Sequence, residues 1–166
     1  MTVIIVVSVL LIMAFSFVVF FGAPFVPTRR VWAESALDLA KIKKTDVVVD
    51  LGSGSGVVLE IAVNRGAKAI GFELNPILAM FSRLRLARHG KRARVKIGNF
   101  WKSDLPISTT IVYVFAVERD EQKLIKYLRE QAKKVKAKEL KVVSFGLPLD
   151  SEKSIASTDG ANLYKF

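Results

Sequence analysis

The 166-residue chain has no cysteine and a single histidine. Without cysteine there is no disulfide, no thiolate nucleophile and no cysteine-held zinc or iron–sulfur centre. His89 alone cannot build a multi-histidine metal site. It stands in a basic run, Arg83 to Lys96, where a solvated surface position is expected. No metal centre is expected. Charge is missing from one end of the chain as well. Met1 to Pro27 holds no Asp, Glu, Lys or Arg, so all 26 basic and all 15 acidic residues lie beyond it.

That division marks out two regions, residues 1–27 and residues 28–166. Val3 to Phe21 is apolar throughout apart from Ser8 and Ser16. At about 1.5 Å per residue it would reach roughly 28 Å as a helix, close to the hydrocarbon thickness of a bilayer. A single N-terminal transmembrane helix is expected. The rival reading, a cleaved signal peptide, would want a positive n-region and a small-x-small cleavage site, and neither is evident. Arg29 and Arg30 follow the apolar run, and no Lys or Arg precedes it. The positive-inside bias then places the second region in the cytoplasm, as the domain of a single-pass membrane protein. The net charge of +11 falls wholly on that domain and favours anionic partners: nucleic acid, acidic protein surfaces or a bilayer face.

Beyond the stiff linker Pro24-Phe25-Val26-Pro27, strands and helices alternate. Arg30 to Ile42 reads as an amphipathic helix with Val31, Ala36, Leu39, Ala40 and Ile42 as its buried positions. Strands are expected at Asp46–Leu51, Lys68–Glu73, Arg94–Ile97, Thr110–Phe115 and Leu140–Phe145. Helices are expected at Val57–Arg65, from Pro76 to about His89, and from Glu121 to Lys136. Ile155–Ser157 and Leu163–Phe166 would form a hairpin through Asp159-Gly160. The pattern predicts an α/β fold with a mostly parallel sheet of about seven strands and helices on both faces.

The informative stretch is Val47-Val48-Val49-Asp50-Leu51-Gly52-Ser53-Gly54-Ser55-Gly56, a buried strand running into glycines spaced by two. Glycine serves where backbone must turn sharply and a ligand must approach without Cβ interference. A dinucleotide fingerprint would place its third glycine at position 57, where Val57 stands. Glu73 ends the second strand 21 residues after Gly52, where an acid reaches both hydroxyls of a ribose. A carboxylate suits that task because it accepts two hydrogen bonds at once.

An acid two residues before a Gly-x-Gly-x-Gly loop resembles motif I of class I methyltransferases. The resemblance implies a Rossmann-like fold, S-adenosyl-L-methionine as cofactor, and Asp50 orienting the methionine part. It narrows further with Pro24-Phe25-Val26-Pro27-Thr28, Gly71-Phe72-Glu73-Leu74-Asn75-Pro76, Phe100-Trp101-Lys102, Val142-Val143-Ser144-Phe145 and Pro148. In that order these segments resemble the small lysine methyltransferases related to the mitochondrial enzymes that modify the ATP synthase c-subunit and the adenine nucleotide translocase. The likeness runs from Pro24 to Phe166. It implies cofactor contacts at Asp50, Gly52, Ser53, Gly54, Gly56, Glu73, Leu74, Asn75, Asn99 and Phe100. It also implies a protein-lysine substrate in a membrane protein, with the ATP synthase c-subunit as one candidate. The chain departs from the family at Ser55-Gly56-Val57 in place of Asp-Gly-Arg, at Asn99 in place of Asp, and at Ala116-Val117-Glu118 in place of a Leu-Pro-containing turn. The first two bear on cofactor affinity and the third on the substrate mouth.

Methyl transfer asks the protein for alignment and for desolvation of the nucleophile. Thr28, Trp101, Tyr113 and Glu118 are the candidate mouth residues. No Asp/Asn-Pro-Pro-aromatic motif follows the fourth strand, which argues against nucleic-acid methylation; no nucleic-acid partner is expected. A lipid or other small-molecule substrate, and a cofactor-binding module without catalysis, stay open as alternatives. Neither the number of methyl groups added nor the oligomeric state is expressed in the sequence.

Overall fold

The computed structural model describes residues 1–9, 12, 29–158 and 160–166. The expected membrane helix falls mostly outside that set, as do the linker, Thr28 and Asp159. Residues 2–9 are helical and exposed. Among the described residues no helix is long and apolar enough to cross a membrane.

From Arg29 onward the chain alternates as its periodicity predicts. The elements are α1 (Arg30–Ala40), β1 (Val47–Leu51), α2 (Val57–Asn64), β2 (Lys68–Glu73), α3 (Pro76–Leu86), β3 (Ala93–Ile97), β4 (Ile111–Phe115), α4 (Glu121–Ala132), β5 (Lys141–Phe145), β6 (Ala156–Thr158) and β7 (Ala161–Lys165). They build one seven-stranded sheet in the order β3-β2-β1-β4-β5-β7-β6. The first five strands pair in parallel, and β7 is antiparallel to both β5 and β6.

Central strands without polar alternation are buried on both faces. All five residues of β1 are buried. Their side chains still alternate: Val48 joins the core under α1 and α2, while Val49 and Leu51 join the core under α4. β4 divides likewise, with Ile111 and Tyr113 on the first side and Val112 and Val114 on the second. At the sheet edge β3 buries only Val95, and its exposed Arg94 and Lys96 discourage pairing with another chain.

Two expectations for α1 need correction. The helix stops at Ala40, because Lys41 takes the left-handed conformation (φ 49°) that ends it, short of Ile42. Its buried face joins Ala33 and Leu37 to the expected Ala36 and Ala40, while Leu39 and Ile42 are only partly buried and Val31 is exposed. Alanines at i, i+3 and i+7, with Leu37 at i+4, let the helix lie close on β5 and β7, and that phase turns Val31 outward. Three other helices also end early. α2 and α4 stop at Asn64 and Ala132, and α3 gives way after Leu86 to tighter turns in which Gly90 has φ 54°.

Gly71 explains why the second strand carries glycine opposite the loop. A Cβ there would overlap Ser53 Oγ and stand 2.6 Å from Leu59 Cδ1. Gly71→Ala is therefore expected to cost about 1–3 kcal/mol through overpacking, read as a lowered midpoint in thermal unfolding.

Candidate functional site

The order of the sheet reverses at β1: β2 and β3 lie to one side, β4 and β5 to the other. In open α/β sheets the crevice at the carboxyl ends of the strands beside such a reversal takes ligands. A cavity of about 280 Å³ lies there. Its walls come from the ends of β1, β2 and β4, the glycine loop, and the turn after β3.

The loop is tied down at both ends. Gly52 N–H and Ser53 N–H each donate to Phe72 O at 2.9 Å, and Gly56 N–H donates to Ser53 O at 2.8 Å. Gly52 has φ 87°, and a Cβ at that position would meet nothing within 4 Å. It borders open space. Ser53 Oγ is buried with no hydrogen-bond partner among the described residues.

Glu73 is buried at the end of β2 and grips the loop. Its Oε2 accepts from Gly54 N–H at 2.7 Å and its Oε1 from Asn75 N–H at 2.8 Å. Each oxygen keeps a second lone pair. Asp50 lies one strand inward and is buried. Register sets it between Gly71, which has no side chain, and Tyr113. Burial, together with the nearby Glu73 charge, pushes its carboxyl up to about 8. A buried acid that resists ionisation is poised to accept a cation.

The far wall is aromatic. Phe100 and Trp101 lie 4.4 Å apart between ring centroids, and Tyr127 meets both edge-on. Asn99 caps that turn, its Oδ1 accepting from Trp101 N–H at 3.0 Å. The amide oxygen that would meet a ligand amine is thus already half committed. Lys123 Nζ sits 4.3 Å from the Trp101 ring centroid.

Of the residues singled out from sequence, Asp50, Gly52, Ser53, Gly54, Glu73, Leu74, Asn99, Phe100, Trp101 and Tyr113 all line this one cavity. Three others do not. At Gly56 (φ 80°) a Cβ would overlap Ser82 Oγ, so the glycine serves the close approach of α2 to α3. Asn75 caps α3, its Oδ1 accepting from Ile77 N–H at 2.9 Å and Leu78 N–H at 3.4 Å. Glu118 is exposed and opens a short turn after β4. Thr28 lies outside the described residues. The lining also includes Ala116 and Val117 of the turn expected at the substrate mouth, and Phe115, Arg119, Asp120 and Lys123, which sequence reasoning missed. Their common signal is position: all follow or end the strand that lies beside β1.

An open sheet in this order, with a glycine loop and a strand-end acid at its reversal point, defines a class I methyltransferase fold. No family profile matches the chain. It is 30% identical over 114 residues to a protein-lysine N-methyltransferase of Saccharolobus islandicus, covering 66% of this chain and 70% of that protein. It is 32% identical over 116 residues to the ATP synthase c-subunit lysine N-methyltransferase of Homo sapiens, covering 66% of this chain and 49% of that protein. The chain spans about half the length of the ATP synthase c-subunit enzymes that it matches. Among solved structures, an RNA methyltransferase from Salinibacter ruber in complex with S-adenosyl-L-homocysteine superimposes with a TM-score of 0.73 at 25% identity. That alignment covers 85% of this chain and 92% of the other. The chain belongs to the protein-lysine N-methyltransferase family.

Proposed function

We propose that this chain is an S-adenosyl-L-methionine-dependent methyltransferase that modifies a lysine side chain of a membrane protein. The observation that carries the reading is the convergence of Asp50, the Gly52–Gly54 backbone and Glu73 on one cavity. Those groups fit the cofactor chemically. Glu73 keeps two acceptor sites for a ribose diol, and the open space at Gly52 admits a ligand close to the backbone. Ser53 Oγ is a buried hydroxyl ready for a polar partner. Asp50 would face the cationic methionine end and become ionised there. When bound, the cofactor supplies an electrophilic methyl group on a sulfonium, and with it the leaving group.

The chain's own residues prepare the nucleophile. Tyr113, Phe115 and Trp101 make a largely apolar wall at the cavity. An ammonium brought against such a wall loses hydration, which lowers its pKa and favours the neutral amine that can attack. Asp120 stands on the same rim, paired with Arg119 at 2.9 Å. It offers an arriving lysine a carboxylate at the rim.

The apolar run Val3–Phe21 is read as a membrane anchor with the methyltransferase domain on the cytoplasmic side. Its composition and the arginines that follow support that orientation. Tethering raises the effective concentration of membrane substrates. The c-subunit of ATP synthase, which appears in the names of several relatives, is the first candidate.

A second reading, methylation of RNA, draws on the likeness to the Salinibacter ruber protein and on the +11 charge. One assay separates these. Native membranes and total RNA are incubated with the purified chain and methyl-labelled cofactor. Label is expected on lysine in a protein band. Label confined to RNA or to the lipid extract overturns the substrate assignment, and no label at all reduces the protein to a cofactor-binding module.

A further inference from the structure

Helix α3 is amphipathic with the wrong side out. Ala79, Ser82 and Leu86 are buried, while Ile77, Met80, Phe81 and Leu84 are 44–66% exposed. The exposed four fall at i, i+3, i+4 and i+7, so they form one continuous stripe along the helix. Arg83 and Arg85 are exposed on the two flanks of that stripe, Arg83 resting on Val95 O at 2.9 and 3.1 Å and Arg85 on Ser55 O at 2.9 Å, and Arg88 is exposed in the turns that follow. From Leu74 to Ser103 the chain holds eight Lys or Arg and no Asp or Glu. Arg83, Arg94 and Lys96 border a shallow depression beside the helix.

The start of α1 reaches the same place. Arg30 opens α1, directly after the apolar N-terminal region, and its Nη1 donates to Glu60 Oε2 at 3.0 Å. Arg85 of α3 and Arg88 in the turns that follow it bind the same carboxylate at 3.4 and 3.0 Å. Val31 and Trp32, on the first turn of α1, are exposed as well. The basic flank of the stripe and the start of α1 therefore meet at one carboxylate, Glu60.

We propose that α3 is a second membrane contact, its Ile77–Met80–Phe81–Leu84 stripe lying in the interfacial layer of an anionic bilayer with the flanking arginines on headgroup phosphates. A basic helix with an apolar face lies in that plane at about 5–10 Å depth. Each nearby Lys or Arg adds attraction to an anionic leaflet. The orientation that results has a use. Leu78 lines the cavity while its neighbour Ile77 belongs to the stripe, so a docked α3 holds the rim of the site at the bilayer surface. The inference rests on the anchor reading for the side from which the chain arrives, and not on the chemistry of the site.

The absence of cysteine makes the test direct, since one introduced thiol labels one place. The full chain carrying Leu84→Cys, or Glu130→Cys on α4 across the sheet, is labelled with an environment-sensitive fluorophore. Each is then mixed with phosphatidylcholine vesicles containing about 30% phosphatidylglycerol. The expected result is flotation with the vesicles, with the label at 84 quenched roughly two-fold or more by acyl-chain quenchers and the label at 130 unaffected. A label at 84 as water-accessible as that at 130, on chain that does float, overturns the α3 contact and leaves the anchor standing. Failure to float overturns both. A label at 84 shielded from water yet untouched by the lipid-phase quencher means that protein covers the stripe, and this also overturns the proposal.

Discussion

Glu73→Ala is expected to abolish measurable binding of S-adenosyl-L-methionine in calorimetry. Two charge-assisted hydrogen bonds to a ribose diol are each worth about 1.5–3 kcal/mol, so their joint loss corresponds to roughly 10²–10⁴-fold in affinity. The substitution also strips Gly54 N–H and Asn75 N–H of their acceptor. Part of the loss would then come from a loosened loop. Glu73→Gln separates the two effects, because the amide oxygen still accepts from one backbone N–H while the charge is gone. Its affinity is expected to fall about 10–100-fold, with a smaller loss of thermal stability than in Glu73→Ala, since one of the two backbone N–H groups keeps its acceptor. Unchanged affinity in either variant would mean that the ribose is held elsewhere.

Asp50 carries the second large effect, and it has a pH signature. Its carboxyl is raised on folding from 3.8 to about 8, by burial first and by the Glu73 charge second. An acid with a raised folded-state pKa contributes stability that is complete below the unfolded value. That contribution drains away as the pH climbs from about 4 to about 8. Asp50→Asn, which cannot ionise, is expected to match the parent near pH 4. At pH 8 it should exceed the parent by on the order of 2–4 kcal/mol in denaturant unfolding. It should also bind the cofactor poorly, since nothing would then balance the cationic methionine end. Cofactor binding to the parent at pH 7 should release a proton from this carboxyl, measurable as a dependence of the calorimetric heat on buffer ionisation enthalpy. Equal stability of parent and variant at pH 8 would show that Asp50 ionises freely in the folded protein.

The two acids were legible in the sequence for a physical reason. A strand-end acid at a set distance from a glycine loop is a local pattern, readable because both elements are short and their connection is a single helix. The same holds for the run Val47 to Leu51, whose five apolar-or-acidic residues can be satisfied only by burial on both faces. What could not be read was the neighbour across the reversal. β4 lies against β1 although 59 residues of chain separate Leu51 from Ile111. Nothing in local periodicity encodes that pairing, so Phe115, Arg119, Asp120 and Lys123 entered the cavity unannounced.

Sequence alone determined the alternation of strand and helix, the glycine turn and the acids at its two sides, because each is a matter of spacing along one or two adjacent elements. Only tertiary structure decided that Gly56 packs α2 on α3 instead of facing the cavity, that Asn75 caps a helix, and that α1 buries Ala33 and Leu37 and leaves Val31 outside. Those outcomes depend on how closely two elements approach, and separation is a property of the packed pair that neither segment carries by itself.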